Sequence, residues 1–256
     1  MWMTFIICGV VSSIGNTYFL EQANHMNHKV GKLKVPLPIF LVLSNVAKSQ
    51  FATFYTCLAK CFDGRVKKFA PPVGIAVAMI FSILCCITAA KVETRRLGVI
   101  RRHELLDKPD ETIPMSVFWL LPQFILLAGL DQISEDCING FFKDQAPPSM
   151  EKYQVYFPKA VLGLGFTGSV LSVYAVGKVS EKGGKPNWFQ YTINKSRLDN
   201  YYWTLAALSA VNLLLFMLVA MFYRYRESES NDEGTPENGV PDQPSDDNAE
   251  CFCCCG

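Results

Sequence analysis

The sequence predicts an all-α membrane protein, a six-helix transmembrane bundle, and three observations lead to it. Five stretches, Met1–Leu20, Phe69–Ala90, Thr112–Leu130, Ala160–Gly177 and Asn200–Tyr223, contain no Asp, Glu, Lys or Arg. A sixth, Pro38–Ala59, is equally long and apolar except for Lys48 at its centre. Half of the 256 residues are hydrophobic, with 18 Phe, 10 Tyr and 4 Trp. A helix of about 20 apolar residues crosses a hydrocarbon layer of roughly 30 Å. A soluble domain of this length would instead show shorter amphipathic elements.

The expected spans are residues 1–20, 38–59, 69–90, 114–142, 157–177 and 200–223, in one transmembrane domain over 1–226. The first has no positively charged lead and no small-residue cleavage site, so it reads as a spanning helix, not a signal peptide. A chain that opens inside such a helix reads as truncated. Asn16, Thr17, Glu21 and Gln22 close that helix. The second is interrupted by the polar run Ser44–Gln50, which includes Asn45 and Lys48. The third is followed by the longest connection, Lys91–Ile113, with six Lys and Arg residues punctuated by Pro109. The fourth starts at Pro114 and stays uncharged to Leu130, where Asp131-Gln132-Ile133-Ser134-Glu135-Asp136 begins. The fifth carries Gly165-x-x-x-Ser169 and Gly168-x-x-x-Ser172, spacings that let helices approach closely. The sixth opens at Tyr201, Tyr202 and Trp203, aromatic anchors at a membrane interface. Two groups of three spans are the pattern of a transporter half built from an inverted repeat.

Residues 227–256 differ from the rest. Glu227–Glu250 holds nine carboxylates and no Lys or Arg, which hides a basic surplus elsewhere behind a formal net charge of +1. So polar a segment cannot bury enough apolar surface to fold and is expected to be disordered. It ends in a Cys-rich motif with Cys251, Cys253, Cys254 and Cys255. Clustered cysteines near a membrane suit S-acylation, and an unmodified redox-labile end is the other reading. The basic residues are scattered over loops with no basic stripe, which excludes nucleic acid as a partner. There is no phosphate loop, nucleophile constellation or metal cluster. The sequence therefore calls for no enzyme, no cofactor and no metal.

An ionisable side chain inside a membrane costs several kcal/mol, so it persists when paired or when it lines a polar cavity. Lys48 on the second helix and Asp131 on the fourth are such residues, and Glu135 follows Asp131 by four positions on the same helical face. Burial disfavours a charged carboxylate while a nearby ammonium favours it, so protonation can break such a pair. A static salt bridge is the other reading. Asn45 and Asn16 complete the candidate proton and substrate pathway. His25, His28 and His103 fall in loops and read as solvated. Asn194-Lys195-Ser196 is an N-glycosylation sequon.

Several motifs, in order, carry a resemblance. They are Thr17–Gln22, Val92-Glu93-Thr94-Arg95-Arg96-Leu97, Pro114–Gln123, Phe141–Pro147, Gly184–Trp188 and Asn194–Asp199 continuing to Trp203. Together they resemble the plant nitrate/peptide transporters of the proton-dependent oligopeptide transporter family, within the major facilitator superfamily. The resemblance runs from Met1 to about Arg226. It implies helices seven to twelve of a twelve-helix fold, a C-terminal half whose partner half is elsewhere. It also implies a cytosolic C-terminus. A positive-inside count gives the opposite, with nine Lys and Arg on the C-terminal side and fourteen across from it.

Asp131 stands where the family usually has a substrate-facing Glu, and Gly140 replaces its second acid. Tyr55-Thr56-Cys57 stands where a Tyr-Asp-Arg is common. These departures favour a small anion over an ordinary peptide. The resemblance thus implies a multi-pass protein of the plasma or vacuolar membrane. Its function would be proton-coupled symport of nitrate or a small organic or peptide-like solute. The alternative is a truncated, non-transporting remnant that associates with a full-length relative.

Overall fold

The computed structural model of the chain describes residues 2–30, 33–61, 70–145, 153, 156–182 and 184–232. Six long helices carry the structure: α1 (Trp2–Asn24), α2 (Pro38–Cys61), α3 (Ala70–Arg102), α4 (Leu121–Gln145), α5 (Tyr156–Ser180) and α6 (Leu198–Asp232). The shortest, α1, has 23 residues, about 34 Å at 1.5 Å per residue and enough to cross the hydrocarbon layer. Four helices also have the continuous hydropathy of a span, over Val73–Arg102, Val117–Gly140, Lys159–Ser180 and Leu198–Met221. In α1 and α2 the average is lowered by Asn16, Glu21 and Gln22 and by the Ser44–Gln50 run. The chain is an all-α membrane bundle.

Two short ribbons join the helix ends. β1 (Met26–Asn27) pairs in parallel with β4 (Ile113–Ser116), and β2 (Lys29–Val30) pairs antiparallel with β3 (Leu33–Lys34). The first ribbon ties the end of α1 to the approach of α4. Ile113 donates its N–H to the His25 carbonyl at 3.0 Å, and Met26 and Ile113 are both fully buried.

Three boundaries depart from the sequence reading. α3 runs on through Lys91–Arg102, which was expected to be a connection. Its charges end the apolar run but not the helix, because Val92, Leu97 and Ile100 keep a buried face at helical spacing. α4 begins at Leu121 and not at Pro114, because Ile113–Ser116 is strand and Val117–Leu120 is a 3₁₀ turn capped by Ser116. α6 continues to Asp232, so Glu227–Asp232 is helical where disorder was expected. That stretch contains no Gly or Pro to stop the helix. The compact unit is Met1–Ala220; of the second unit, from Met221, the described part is the end of α6. The cysteines at 251, 253, 254 and 255 lie outside the described residues.

Within the first unit α3 packs on α4, α2 on α4, and α1 on α5. The α1–α5 crossing uses small residues, as the glycine and serine spacing on α5 suggests. A Cβ on Gly165 would stand 2.6 Å from Gly9 Cα, and the Ser13 and Ser169 hydroxyls share a hydrogen bond of 2.9 Å. Such close backbone approach is how membrane helices gain packing contact without a hydrophobic driving force. Ser172 faces α6 instead, bonding the Tyr201 hydroxyl at 2.6 Å. Where α1, α4 and α6 converge, Phe19 stands edge-on to both Phe124 and Tyr202.

Gly165→Leu places a side chain where the α1 backbone lies. It is expected to lower stability by about 3 kcal/mol or to separate α1 from α5. Gly163→Leu, which has open space at its Cβ, is expected to be neutral. Thermal denaturation of both variants in the same detergent is the check.

Candidate functional site

Lys48 and Asp131 meet. Lys48 Nζ lies 2.9 Å from Asp131 Oδ2, with the two side chains 35 % and 13 % exposed. α2 presents Lys48 because Ser44, Asn45 and Lys48 recur at one- and four-residue steps on the side turned toward α4. Asp131 comes one residue after the fully buried Leu130, on the flank of the face α4 packs into the core. The two residues line a cavity of about 210 Å³ with Asn16, Leu41, Ser44, Asn45, Phe124, Leu127 and Ala128. The volume suits a small solute, and it has one cationic and one anionic wall with amides between them.

Four of the five residues singled out from the sequence therefore come together: Lys48, Asp131, Asn45 and Asn16. Glu135 does not. It is exposed one turn further along α4 and is not part of the cavity wall. Spacing of four puts it on the same helical face, but α4 turns that position out to the surface. Asp136 also lies outside the cavity and accepts from Gln132 Nε2 at 3.1 Å. Asn16 donates to the Ser12 carbonyl at 2.9 Å, which leaves its own carbonyl oxygen available to a ligand. Asp131 Oδ1 is buried without a hydrogen-bond partner among the described residues. The carboxylate is thus held by one oxygen only.

A second buried ionic cluster is invisible to hydropathy. Glu93 and Arg96 are both fully buried. Arg96 grips Glu93 with two bonds, Nε to Oε2 at 2.7 Å and Nη2 to Oε1 at 2.8 Å. Gln22 of α1 donates to the same carboxylate at 2.7 Å, and Gln123 of α4 donates to Gln22 at 3.4 Å. Arg96 also donates to Asn194 Oδ1 at 3.1 Å and to the Ile193 carbonyl at 2.9 Å. One ion pair thereby joins α1, α3, α4 and the approach to α6. The available signal was periodicity: Glu93 and Arg96 share a helical face with Val92, Leu97 and Ile100.

This cluster corrects the glycosylation reading. Asn194 is 1 % exposed, and its amide is held by Arg96 and by the Leu105 carbonyl. A sugar on its Nδ2 is incompatible with that packing. In the α5–α6 connection, the Asn187 amide and then the Lys178 ammonium hold the Glu181 carboxyl below its ordinary range. Hydrogen bonding to Asp199 moves Arg197 upward.

Residues 1–189 match the PTR2 profile, the POT family. The chain belongs to the POT family. Its relatives agree with that placement. It is 43 % identical over 242 residues to the Arabidopsis thaliana protein named NRT1/PTR FAMILY 5.5, covering 93 % of this chain and 45 % of that protein. It is 28 % identical over 233 residues to NRT1/PTR FAMILY 5.15 and 31 % identical over 231 residues to NRT1/PTR FAMILY 5.2, both from Arabidopsis thaliana. Those matches cover 88 % of this chain in each case, and 40 % and 39 % of the relatives. The chain thus spans less than half the length of these POT-family relatives. The POT family are transporters, so the membrane bundle and its charged cavity belong to a transporter family.

Truncating one partner of a fully buried pair costs about 3–5 kcal/mol, because it strands the other charge. Arg96→Leu is therefore expected to unfold the chain or lower its stability by that amount. Glu93→Leu with Arg96→Leu is expected to recover most of the loss. Equal losses in the single and double variants, measured by thermal denaturation, would contradict the pairing.

Proposed function

We propose that this chain acts as the C-terminal half, helices seven to twelve, of a proton-coupled transporter of nitrate or a small organic anion. The observation that carries the reading is the Lys48–Asp131 pair on the wall of a polar cavity. With Asp131 ionised the pair is neutral and Lys48 has no charge to offer. A proton on Asp131 frees Lys48, and an anion then restores the balance. Proton and anion enter together because either one alone would leave an uncompensated charge in a medium of low dielectric. Asn16 and Asn45 offer hydrogen bonds to a small solute, and Phe124 and Leu127 form the apolar wall. The C-terminus is cytosolic in this reading, and the membrane is the plasma or vacuolar membrane.

The pair is intermediate between exposed and buried, so a single neutral substitution should cost about 1–3 kcal/mol, between the ranges for those two classes. Lys48→Gln, Asp131→Asn and the double variant are compared in a protein that includes an N-terminal half. Uptake of labelled nitrate is expected to rise as the outside is acidified in the unaltered protein. Asp131→Asn should flatten that dependence and Lys48→Gln should lower uptake at least about tenfold. The double variant is expected to recover stability but not coupling. Unchanged pH dependence in both folded single variants makes the pair structural and ends this reading.

The alternative reading is a non-transporting remnant that pairs with a full-length relative. α2 exposes Ser49, Thr53, Thr56 and Cys57 along an open groove of about 440 Å³. The Thr53 and Thr56 hydroxyls donate to the Ser49 and Ala52 carbonyls of their own helix at 3.1 and 2.8 Å, and the groove beside them is open to a packing partner. Either an N-terminal half or a relative would supply that partner. Liposomes containing only this chain are expected to show no nitrate uptake under a pH gradient. Gradient-driven uptake by the chain alone would contradict the need for a partner half.

A further inference from the structure

Two buried polar atoms on adjacent turns of α4 have no hydrogen-bond partner among the described residues. One is Asp131 Oδ1 and the other is the Ser134 hydroxyl oxygen. Side chains three residues apart on a helix are neighbours, about 5–6 Å apart at Cβ. Helical Cα–Cβ bonds tilt toward the N-terminus, so Ser134 leans back over the turn that carries Asp131. Ser134 is 3 % exposed and shares the packed face of α4 with Leu127, Leu130 and Ile138. It is not part of the cavity wall. A buried polar group left without a partner is destabilising, and folded proteins keep few of them.

The ion pair decides which carboxylate oxygen takes a proton. Oδ2 accepts from the Lys48 ammonium at 2.9 Å. A proton there would set an O–H against an N–H, donor against donor. Oδ1 is the free acceptor, so the neutral acid carries its proton on Oδ1 and needs an acceptor in turn. Asn16 and Asn45 are exposed and have water as a partner. Ser134 is buried from water and has no bond to give up. While Asp131 is ionised, Lys48 holds it toward α2. Neutralisation removes that attraction and leaves the side chain free to change rotamer. The serine oxygen then accepts the acid O–H, and its own hydrogen turns to the carbonyl one turn back on α4.

We propose that Ser134 is the positioning residue for protonated Asp131, the acceptor that keeps the neutral carboxyl off Lys48 while an anion occupies the ammonium. The proton bonds to Oδ1, the carboxylate charge is cancelled, and Lys48 keeps its own. Asp131 thereby has two stations, Lys48 when ionised and Ser134 when neutral. The inference rests on the proton-coupled reading and adds the group that serves the protonated state. The other groups around Asp131 do not fill that role. Lys48 of α2 serves the ionised form, and α1 contributes Asn16, which does not titrate. Cys85 of α3 is within electrostatic reach, but its thiol donates to the Gln123 carbonyl at 3.6 Å. On α4 itself Glu135 is exposed, and Asp136 accepts from Gln132.

Infrared difference spectra of the full chain in nanodiscs, with Asp131→Asn subtracted, isolate the carboxylic C=O stretch of Asp131. The band is expected to grow as the unaltered chain is acidified. Ser134→Ala should need about one pH unit more acid to form half of it, about a tenfold loss of the protonated form. The band should also move to higher frequency, because the acid has lost its hydrogen bond. Ser134→Thr keeps the hydroxyl and should keep both values. Ser82→Ala with Ser209→Ala removes a buried hydroxyl pair between α3 and α6 and should change neither. A band that titrates but ignores Ser134→Ala overturns this inference and leaves the proton on Asp131 standing. So does an equal shift in the Ser82 and Ser209 control. Absence of an Asp131 band at every pH overturns the proton-coupled reading and this inference with it.

Discussion

Taking a charge out of water costs several kcal/mol unless an opposite charge and enough hydrogen bonds meet it, and that cost organises this bundle. Arg96 is among the largest fully buried side chains in the structure, and every direction from it leads to a partner. Glu93 neutralises it, and Gln22 and Asn194 complete the shell. Those partners come from α1, α3 and the chain just before α6. The ends of those segments are therefore located by where one guanidinium must find its bonds. The Met26–Ile113 ribbon brings the same ends of α1 and α4 together through the backbone.

The same cost acts differently on the Lys48–Asp131 pair. Here one ion-pair contact joins α2 to α4, one carboxylate oxygen has no partner among the described residues, and Lys48 is about a third exposed. A pair held at both oxygens and sealed by amides is static, whereas one held at a single oxygen beside a cavity can open. The contrast between two ion pairs in one bundle is the ground for proposing a transport role for one and a structural role for the other. It rests on satisfaction and exposure, not on residue type.

Much of the fold was legible because long uncharged runs have few meanings. The helices of the described region fall where those runs lie, and Lys48 and Asp131 were conspicuous as charges in apolar surroundings. Legibility failed where a charge was read as a sign of exposure. Glu93 and Arg96 were assigned to a loop because charged residues usually lie there, and Asn194, which does lie in a loop, is buried. Their burial depends on partners distant in sequence, such as Gln22 and Ile193, which no local pattern reveals. Glu135 failed for the converse reason: spacing gives a helical face, but which part of that face meets the cavity is decided by how α2 and α4 pack. The helical extension of α3 was missed because the membrane edge was taken as the helix end.

The central claim is that an anion enters the Lys48 cavity only as Asp131 takes up a proton. It is tested most directly by counting protons during nitrate binding to this chain in nanodiscs, in weakly buffered solution with a pH-indicating dye. The account predicts about one proton taken up per nitrate bound, and no uptake in Asp131→Asn. Nitrate binding without proton uptake in the unaltered chain, or uptake that persists in Asp131→Asn, would contradict it.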